Sequence, residues 1–291
     1  MRLHVVDGTF ELFRAHYSKR PDHVSPSGKP LKATVGVADS MLTLLADPHE
    51  KVTHLAVAFD NPIRSFRNDL FPGYKTDDGV EPELRAQFDD VEEAVRALGI
   101  TVWSMDKYEA DDALATATER WRDTVEQVRI LTPDKDLGQC LSGRKVIVVD
   151  RIRRTELDEA GLRAKRGIAP ASIPDFLALV GDDADGIPGL PGFGERTASR
   201  LLDRFLRLED IPRAPAAWPS DIRGAAGLAE TLAARMDDAL LYRRLATLER
   251  AVPLVESLED LRWQGVPPEL DAWCAKVGSQ TLRDRPRPQP T

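Results

Sequence analysis

Five short apolar runs mark the first 150 residues: Leu3–Val6, Leu55–Phe59, Thr101–Met105, Val128–Leu131 and Val146–Val149. Each is rich in Val, Ile or aromatic residues, the composition of a buried strand. Between them apolar positions recur at helical spacing: Val35, Ala38, Met41, Leu42 and Leu45; then Leu84, Phe88, Val91, Val95 and Leu98; then Ala110, Ala113, Leu114, Ala117 and Trp121. This alternation predicts an α/β fold built on a mostly parallel sheet with helices on both faces. Beyond about Arg154 the strand pattern stops, and helical segments broken by Gly and Pro follow at Asp158–Lys165, Ile173–Val180, Glu195–Phe205 and Gly227–Leu248. The predicted organisation is an α/β domain over residues 1–155, a helical region over 156–262 and a C-terminal segment over 263–291. The stretch Arg283–Thr291, with Pro286, Pro288 and Pro290, is expected to be disordered.

No run of about 18 uncharged apolar residues occurs, and the first strand begins at Leu3, leaving no room for a leader. A cytoplasmic protein without a membrane anchor is expected. Cys140 and Cys274 have neither CxxC nor Cys/His spacing, so a disulfide framework, a redox motif and a zinc site are all unsupported. With 291 residues, 42% of them hydrophobic, the chain can bury a real core. Forty basic against 48 acidic residues leave a net charge of −8, which argues against a non-specific basic coat for DNA. Nucleic acid remains open as a partner where the acids gather around metal and Arg and Lys line another face.

The positions of the acids sharpen this. Asp7 follows the first strand, Asp60 the second, and Asp134 and Asp136 the fourth, in Thr132-Pro133-Asp134-Lys135-Asp136. Glu109, Asp111 and Asp112 open a helix just after the third run. In an open α/β sheet the C-terminal strand ends share one edge, where ligands bind. Any one of these residues alone reads equally as a turn or helix-capping residue. Seven carboxylates on one edge, however, raise each other's pKa and oppose folding unless a cation joins them. Oxygen-only ligands favour Mg²⁺ or Mn²⁺, and two such ions roughly 3.5–4 Å apart suit an in-line displacement at phosphorus. Asp150, also at a strand end but without a companion acid, reads as a capping residue.

A second region, Gly181 through Ala198, combines Asp182 and Asp185 with a run of glycines that leads into a helix. Gly-x-Gly before a helix presents backbone N–H groups to a phosphate without reading sequence, although a packing turn uses the same residues. Asp182 and Asp185 stand where they reach back toward the metal edge.

In order along the chain these segments resemble the 5′→3′ exonuclease and flap endonuclease family, especially the 5′-nuclease domain of bacterial DNA polymerase I. The resemblance spans roughly residues 3 to 260. It rests on Val6-Asp7-Gly8 with Arg14, Phe59-Asp60, Ser65-Phe66-Arg67, Tyr74-Lys75, Leu84-Arg85-Ala86-Gln87, Tyr108 through Asp112, Thr132 through Asp136, and Gly181 through Ala198. It implies a PIN-like, Rossmann-like nuclease domain with a helical arch at about residues 72–98, followed by a helix-three-turn-helix element that Leu190–Phe205 resembles. The implied metal-binding set is Asp7, Asp60, Glu109, Asp111, Asp112, Asp134, Asp136, Asp182 and Asp185, with none of the nine missing. It further implies phosphate contacts at Arg14 and Arg67, a catalytic lysine at Lys75, and a base-stacking aromatic at Tyr74. Arg85 in the arch, and Gly192, Gly194, Arg196, Thr197 and Arg200 at the glycine-rich turn, would contact DNA backbone, with K⁺ on the turn carbonyls. The implied activity is metal-dependent cutting of DNA at 5′ ends and 5′ flaps, by a monomer that binds without sequence preference, in replication or repair.

Two departures stand out. Where family members commonly carry a basic residue shortly after Tyr-Lys, this chain reads Tyr74-Lys75-Thr76-Asp77-Asp78-Gly79, leaving Arg85 to compensate. The sequence also stops at Thr291, so a stand-alone enzyme without a polymerase domain is expected. Two other readings remain: a DNA-structure-binding protein that kept the fold and lost turnover, for which Asp77 and Asp78 are the support, and a phosphatase of small esters, which leaves the glycine-rich helical region unexplained.

Overall fold

The computed structural model describes residues 1–290. All five apolar runs lie in strands: β1 (Arg2–Asp7), β2 (His54–Asp60), β3 (Thr101–Met105), β4 (Gln127–Leu131) and β5 (Val146–Asp150). A sixth, β6 (Thr155–Leu157), has two exposed residues and no apolar alternation to announce it. The chain divides into two compact units, one made of Met1–Arg64, Asp77–Thr132 and the residues from Arg250 onward, the other of Ser65–Thr76 and Pro133–Glu249.

The first unit holds the parallel strands in the order β3-β2-β1-β4. Leu3, Val5 and Val6 are fully buried, as a strand covered on both faces requires. The helices Gly8–His16, Lys32–Ala46, Phe88–Ala97 and Ala110–Trp121 belong to this unit. The periodic stretch from Leu84 to Leu98 is two helices rather than one, Pro82–Arg85 and Phe88–Ala97, broken at the buried Gln87. Gln87 Oε1 accepts from the backbone N–H groups of Ala33 and Thr34, both at 3.1 Å, and so caps the helix Lys32–Ala46, whose own N-cap, Leu31, offers no side-chain acceptor. The segment from Arg250 returns to this unit. Val252 N–H donates to Thr116 Oγ1 at 3.1 Å, Trp103 Nε1 to Glu256 at 3.0 Å and Trp263 Nε1 to the Leu98 carbonyl at 3.0 Å. Arg285 reaches Asp39, and Arg287 pairs with Asp271 at 2.6 Å.

In the second unit β5 and β6 form an antiparallel hairpin, with Val149 opposite Glu156. The helices Glu159–Arg166, Ile173–Val180, Glu195–Phe205, Ala225–Ala234 and Met236–Ala246 follow. The expected helix Gly227–Leu248 is divided at Arg235, whose φ of −121° is not helical, and Asp237 and Asp238 start the next helix where its positive end favours acids.

The expected PIN-like, Rossmann-like architecture needs correction. After β5 the chain reverses over Arg151–Arg154, with Arg154 at φ 54°, into the antiparallel β6. The α/β fold the chain builds is identified below from its relatives.

Candidate active site

In the first unit β1 and β2 end on Asp7 and Asp60, and the parallel register sets Asp7 beside Ala58 and Asp60 beside Met105. Asp7 caps the helix Gly8–His16: Oδ1 accepts from Phe10 N–H at 2.8 Å and Oδ2 from Thr132 Oγ1 at 2.9 Å. A side chain at Gly8 would stand 2.5 Å from the Phe59 ring, so glycine alone lets this helix start against β2. Asp60 Oδ1 accepts from Ala110 N–H at 2.7 Å, and Glu109 and Asp112 form a reciprocal capping box at that same helix start, with Asp112 Oδ2 accepting from Glu109 N–H at 3.0 Å. Asp111 sits in its first turn. The capping roles hold these carboxylates in fixed orientations, and because an ionised carboxylate offers about four lone-pair sites, capping and ligation are compatible. Arg14, on the same helix as its cap Asp7, is only partly exposed and donates Nη2 to Glu11 and, at 2.9 Å, to Ser40 Oγ.

The second unit gathers Asp134, Asp136, Asp182, Asp185, Lys75 and Lys135. Asp136 N–H donates to Asp134 Oδ1 at 2.8 Å, closing the loop after Pro133. Lys135 Nζ pairs with Asp182 Oδ2 at 2.7 Å, and Lys75 Nζ with Asp185 Oδ1 at 2.9 Å. A tight turn presents the two acids: Asp182 and Ile187 exchange backbone hydrogen bonds at 2.8 Å, and Gly186, at φ +72°, lies so close to the backbone of Gly73 that a Cβ would stand 2.2 Å from its carbonyl oxygen. Burial raises the pKa of Asp134, against the pull of the Asp136 N–H, and repulsion from Asp185 and Asp182 adds to it. Burial, with repulsion from Asp134, Asp185 and Asp182, drives Asp136 well above the carboxylate range. Burial works against the Lys135 charge, but Asp182, Asp136 and Asp134 outweigh it and hold the ammonium above its usual value.

These residues fit a divalent ion. Asp136 Oδ1 is buried and accepts no hydrogen bond, an oxygen prepared for a cation and given none by the protein. All the donors are hard oxygens, as Mg²⁺ and Mn²⁺ prefer. Among the described residues no three His, Cys, Asp or Glu side chains are gathered as a finished cage. Lys75 and Lys135 instead hold one carboxylate oxygen each of Asp185 and Asp182.

Several predicted residues are placed elsewhere or differently. Arg67 is 1% exposed, with Nε donating to the Leu245 carbonyl at 2.8 Å and Nη2 to that of Thr247 at 3.0 Å, a cation tied to the end of the helix Met236–Ala246. Tyr74 is 4% exposed, with its hydroxyl 3.4 Å from Asp185 Oδ2. Arg85 pairs with Asp77, one of the two acids that it was expected to offset. Gly192 adopts φ +85°, and Gly194 is the N-cap of the helix Glu195–Phe205. That helix buries Ala198, Leu201 and Leu202 and leaves Arg196 and Arg200 exposed, with Thr197 half-buried. Asp150 accepts from the N–H groups of Ile152 and Arg153, both at 2.9 Å, as a capping residue does. Sequence reasoning missed Lys135, although it lies between two of the predicted acids.

The chain matches two family models end to end, "5′-3′ exonuclease, N-terminal resolvase-like domain" over residues 2–167 and "5′-3′ exonuclease, C-terminal SAM fold" over residues 168–269. The chain belongs to the 5′-3′ exonuclease family. DNA polymerase I of Bacillus caldotenax is 33% identical over 289 residues, covering 98% of this chain and 32% of that protein. DNA polymerase I of Pseudomonas aeruginosa is 35% identical over 266 residues, covering 88% and 28%. The chain thus spans about a third of the length of these relatives. Among solved structures, the T5 D15 protein co-crystallised with metal ions superposes with a TM-score of 0.67 at 19% identity, covering 97% of this chain and 96% of that one. The catalytic core of Rad2 in complex with DNA gives 0.57 at 16%, covering 96% and 86%. These relatives settle the architecture as the α/β 5′-nuclease fold of T5 exonuclease, a resolvase-like domain with a SAM-like helical region, in place of the PIN-like one expected. Among the described residues no helix is long and apolar enough to cross a membrane.

Proposed function

We propose that this 5′-3′ exonuclease hydrolyses phosphodiester bonds at 5′ ends and 5′-flap junctions of DNA, working as a monomer in the cytoplasm during replication or repair. The carboxylates of both units, Asp7, Asp60, Glu109, Asp111 and Asp112 in the first and Asp134, Asp136, Asp182 and Asp185 in the second, are the candidate holders of Mg²⁺ or Mn²⁺. When bound, such ions supply Lewis-acid stabilisation to the attacking and leaving oxygens of the displacement. The observation that carries the assignment is the buried Asp136 Oδ1, which accepts no hydrogen bond inside a group of mutually repelling acids. Lys75, ion-paired with Asp185, is a cation available to the charge that develops on the scissile phosphate. Arg14, oriented by Glu11 and Ser40, is the corresponding cation of the first unit. Arg67 and Tyr74 support the fold around Lys75 rather than touch substrate, because both are buried. Arg196, Thr197 and Arg200, beside the Gly192-Phe193-Gly194 turn, are the candidate grip on duplex backbone, with K⁺ proposed on the turn carbonyls.

The test is cleavage of a labelled 5′-flap duplex beside a blunt duplex and a single strand, each with Mg²⁺, Mn²⁺ or chelator. Metal-dependent cuts near the junction are expected. Tight junction binding without a cut in either metal would replace the nuclease reading with that of a DNA-structure-binding protein.

A further inference from the structure

On the second unit a cleft of about 540 Å³ lies between the first turns of the helix Glu195–Phe205 and the segment that precedes the helix Ala225–Ala234. One wall carries Arg196, Thr197 and Arg200; the other carries Ser220, Asp221 and Arg223. The second wall is built rather than loose. Trp218 is 6% exposed and donates Nε1 to the Pro212 carbonyl at 2.7 Å, the Ile222 N–H donates to the Pro219 carbonyl at 3.1 Å, and the Ile222 side chain is buried.

The cleft is strongly cationic, and its charges are unevenly matched. Arg200 donates Nε to Asp221 Oδ2 at 3.1 Å and Nη2 to Asp221 Oδ1 at 3.3 Å. Arg196 and Arg223 have no ion-pair partner among the described residues. Three guanidinium groups and a single carboxylate therefore line a concave site that is open to solvent. A planar guanidinium accepts a phosphate in the same two-pronged geometry that it gives a carboxylate, so a phosphodiester can take Asp221's place on Arg200. Hydroxyls at Thr197 and Ser220 add neutral donors of the kind that contact backbone phosphates.

We propose that Pro219–Gly224 forms the second wall of a duplex-backbone site, in which Arg223 contacts phosphate and Asp221 is the counter-anion that phosphate displaces from Arg200. This rests on the reading that the helix Glu195–Phe205 grips duplex DNA, and extends it to a segment with no part in the glycine-rich turn. Asp221 then sets the affinity: it holds Arg200 in orientation before DNA arrives and must be displaced when DNA binds.

The test is fluorescence anisotropy of the full chain with a labelled blunt duplex, in chelator so that nothing is cut, across a KCl series. Arg223→Gln is expected to weaken binding at every salt concentration and to lower the slope of log affinity against log salt by about one, while Arg223→Lys keeps the slope. Asp221→Asn is expected to tighten binding by up to about fivefold, the worth of an exposed ion pair, and to have no effect in an Arg200→Gln background. Wild-type affinity and slope in Arg223→Gln, with Arg196→Gln weakened, would overturn this inference and leave the grip by the helix intact. Unchanged binding in Arg196→Gln and Arg200→Gln would overturn both. Competition by inorganic phosphate at constant ionic strength that Arg223→Gln abolishes, with duplex affinity unchanged, would make the cleft a free-anion site and also overturn it.

Discussion

Asp136 carries a cost that any ligand binding there would relieve. Its side chain is 5% exposed, one oxygen accepts no hydrogen bond, and three neighbouring carboxylates oppose its charge. Replacing it with Asn removes the repulsion and the ligand together. Asp136→Asn is therefore expected to raise the melting temperature in chelator, to lose the stabilisation that Mg²⁺ gives the wild type, and to cut at least about a hundredfold more slowly. Thermal melts with and without Mg²⁺ check it; equal stabilisation of both proteins by the ion would remove Asp136 from the metal site. Arg67 offers the opposite case. Its buried guanidinium holds the end of a helix, so Arg67→Met is expected to cost about 2–4 kcal/mol of stability by leaving carbonyls unpaired. Denaturant unfolding measures that loss, and a variant with wild-type stability but weakened DNA affinity would restore the phosphate role. At this scale the sequence was readable where chemistry follows residue type. The acids stood at strand ends because short polar residues terminate strands and begin helices. Burial was not readable: nothing in Ser65-Phe66-Arg67 distinguishes a cation inside the unit from one on its surface, since that depends on where the helix Met236–Ala246 ends.

Among the elements, the strands with continuous apolar runs were the plainest to read, because a strand covered on both faces has no polar side to alternate with. The hairpin strand β6 and the breaks at Gln87 and Arg235 were not readable from local pattern. Gln87 interrupts a helix in order to cap another, an arrangement that only the packed unit reveals. A further pairing between elements governs acid stability. His4 on β1 bonds Glu50 at 3.0 Å through Nε2, and Arg129 on β4 donates Nε to Glu50 Oε2 at 2.6 Å. Burial works against the Glu50 charge, but its bonds to His4 and Arg129 hold its pKa at about 2, below the ordinary 4.5. Burial likewise lowers His4 below 6.5, so it enters the native state neutral. Glu50 thus contributes stability that is present above about pH 4.5 and lost as pH falls toward 2, while neutral His4 makes stability decline as pH drops below about 6.5. Glu50→Gln is expected to lower stability at pH 7 and to flatten the decline between pH 4.5 and 2.5, as read from unfolding midpoints across pH. A decline as steep as that of the wild type would place the acid-sensitive contact elsewhere.

At the scale of the whole molecule, the first unit is not a continuous stretch of chain. It draws on the first residues, on Asp77–Thr132, and on everything from Arg250, while the second unit lies between in sequence. The apolar pattern indicated a sheet followed by helices, and that order is present. The return of Val252, Glu256 and Trp263 to the helices and strands of the first unit left no trace in periodicity, since contacts between distant segments obey no period. This interleaving has a consequence for synthesis. A ribosome that has finished these four parallel strands has not yet made Glu256, which accepts from the Trp103 indole, or Val252, which donates to Thr116, so the earliest-made unit is the later one to close. Nascent chains arrested at Glu249 are expected to be cut by protease within residues 1–132, and chains extended through Leu282 to resist; equal resistance would show that the sheet closes alone. Until that last segment emerges, the strand ends that carry Asp7 and Asp60 belong to an unfinished fold, and their final placement waits on residues made long after the strands themselves.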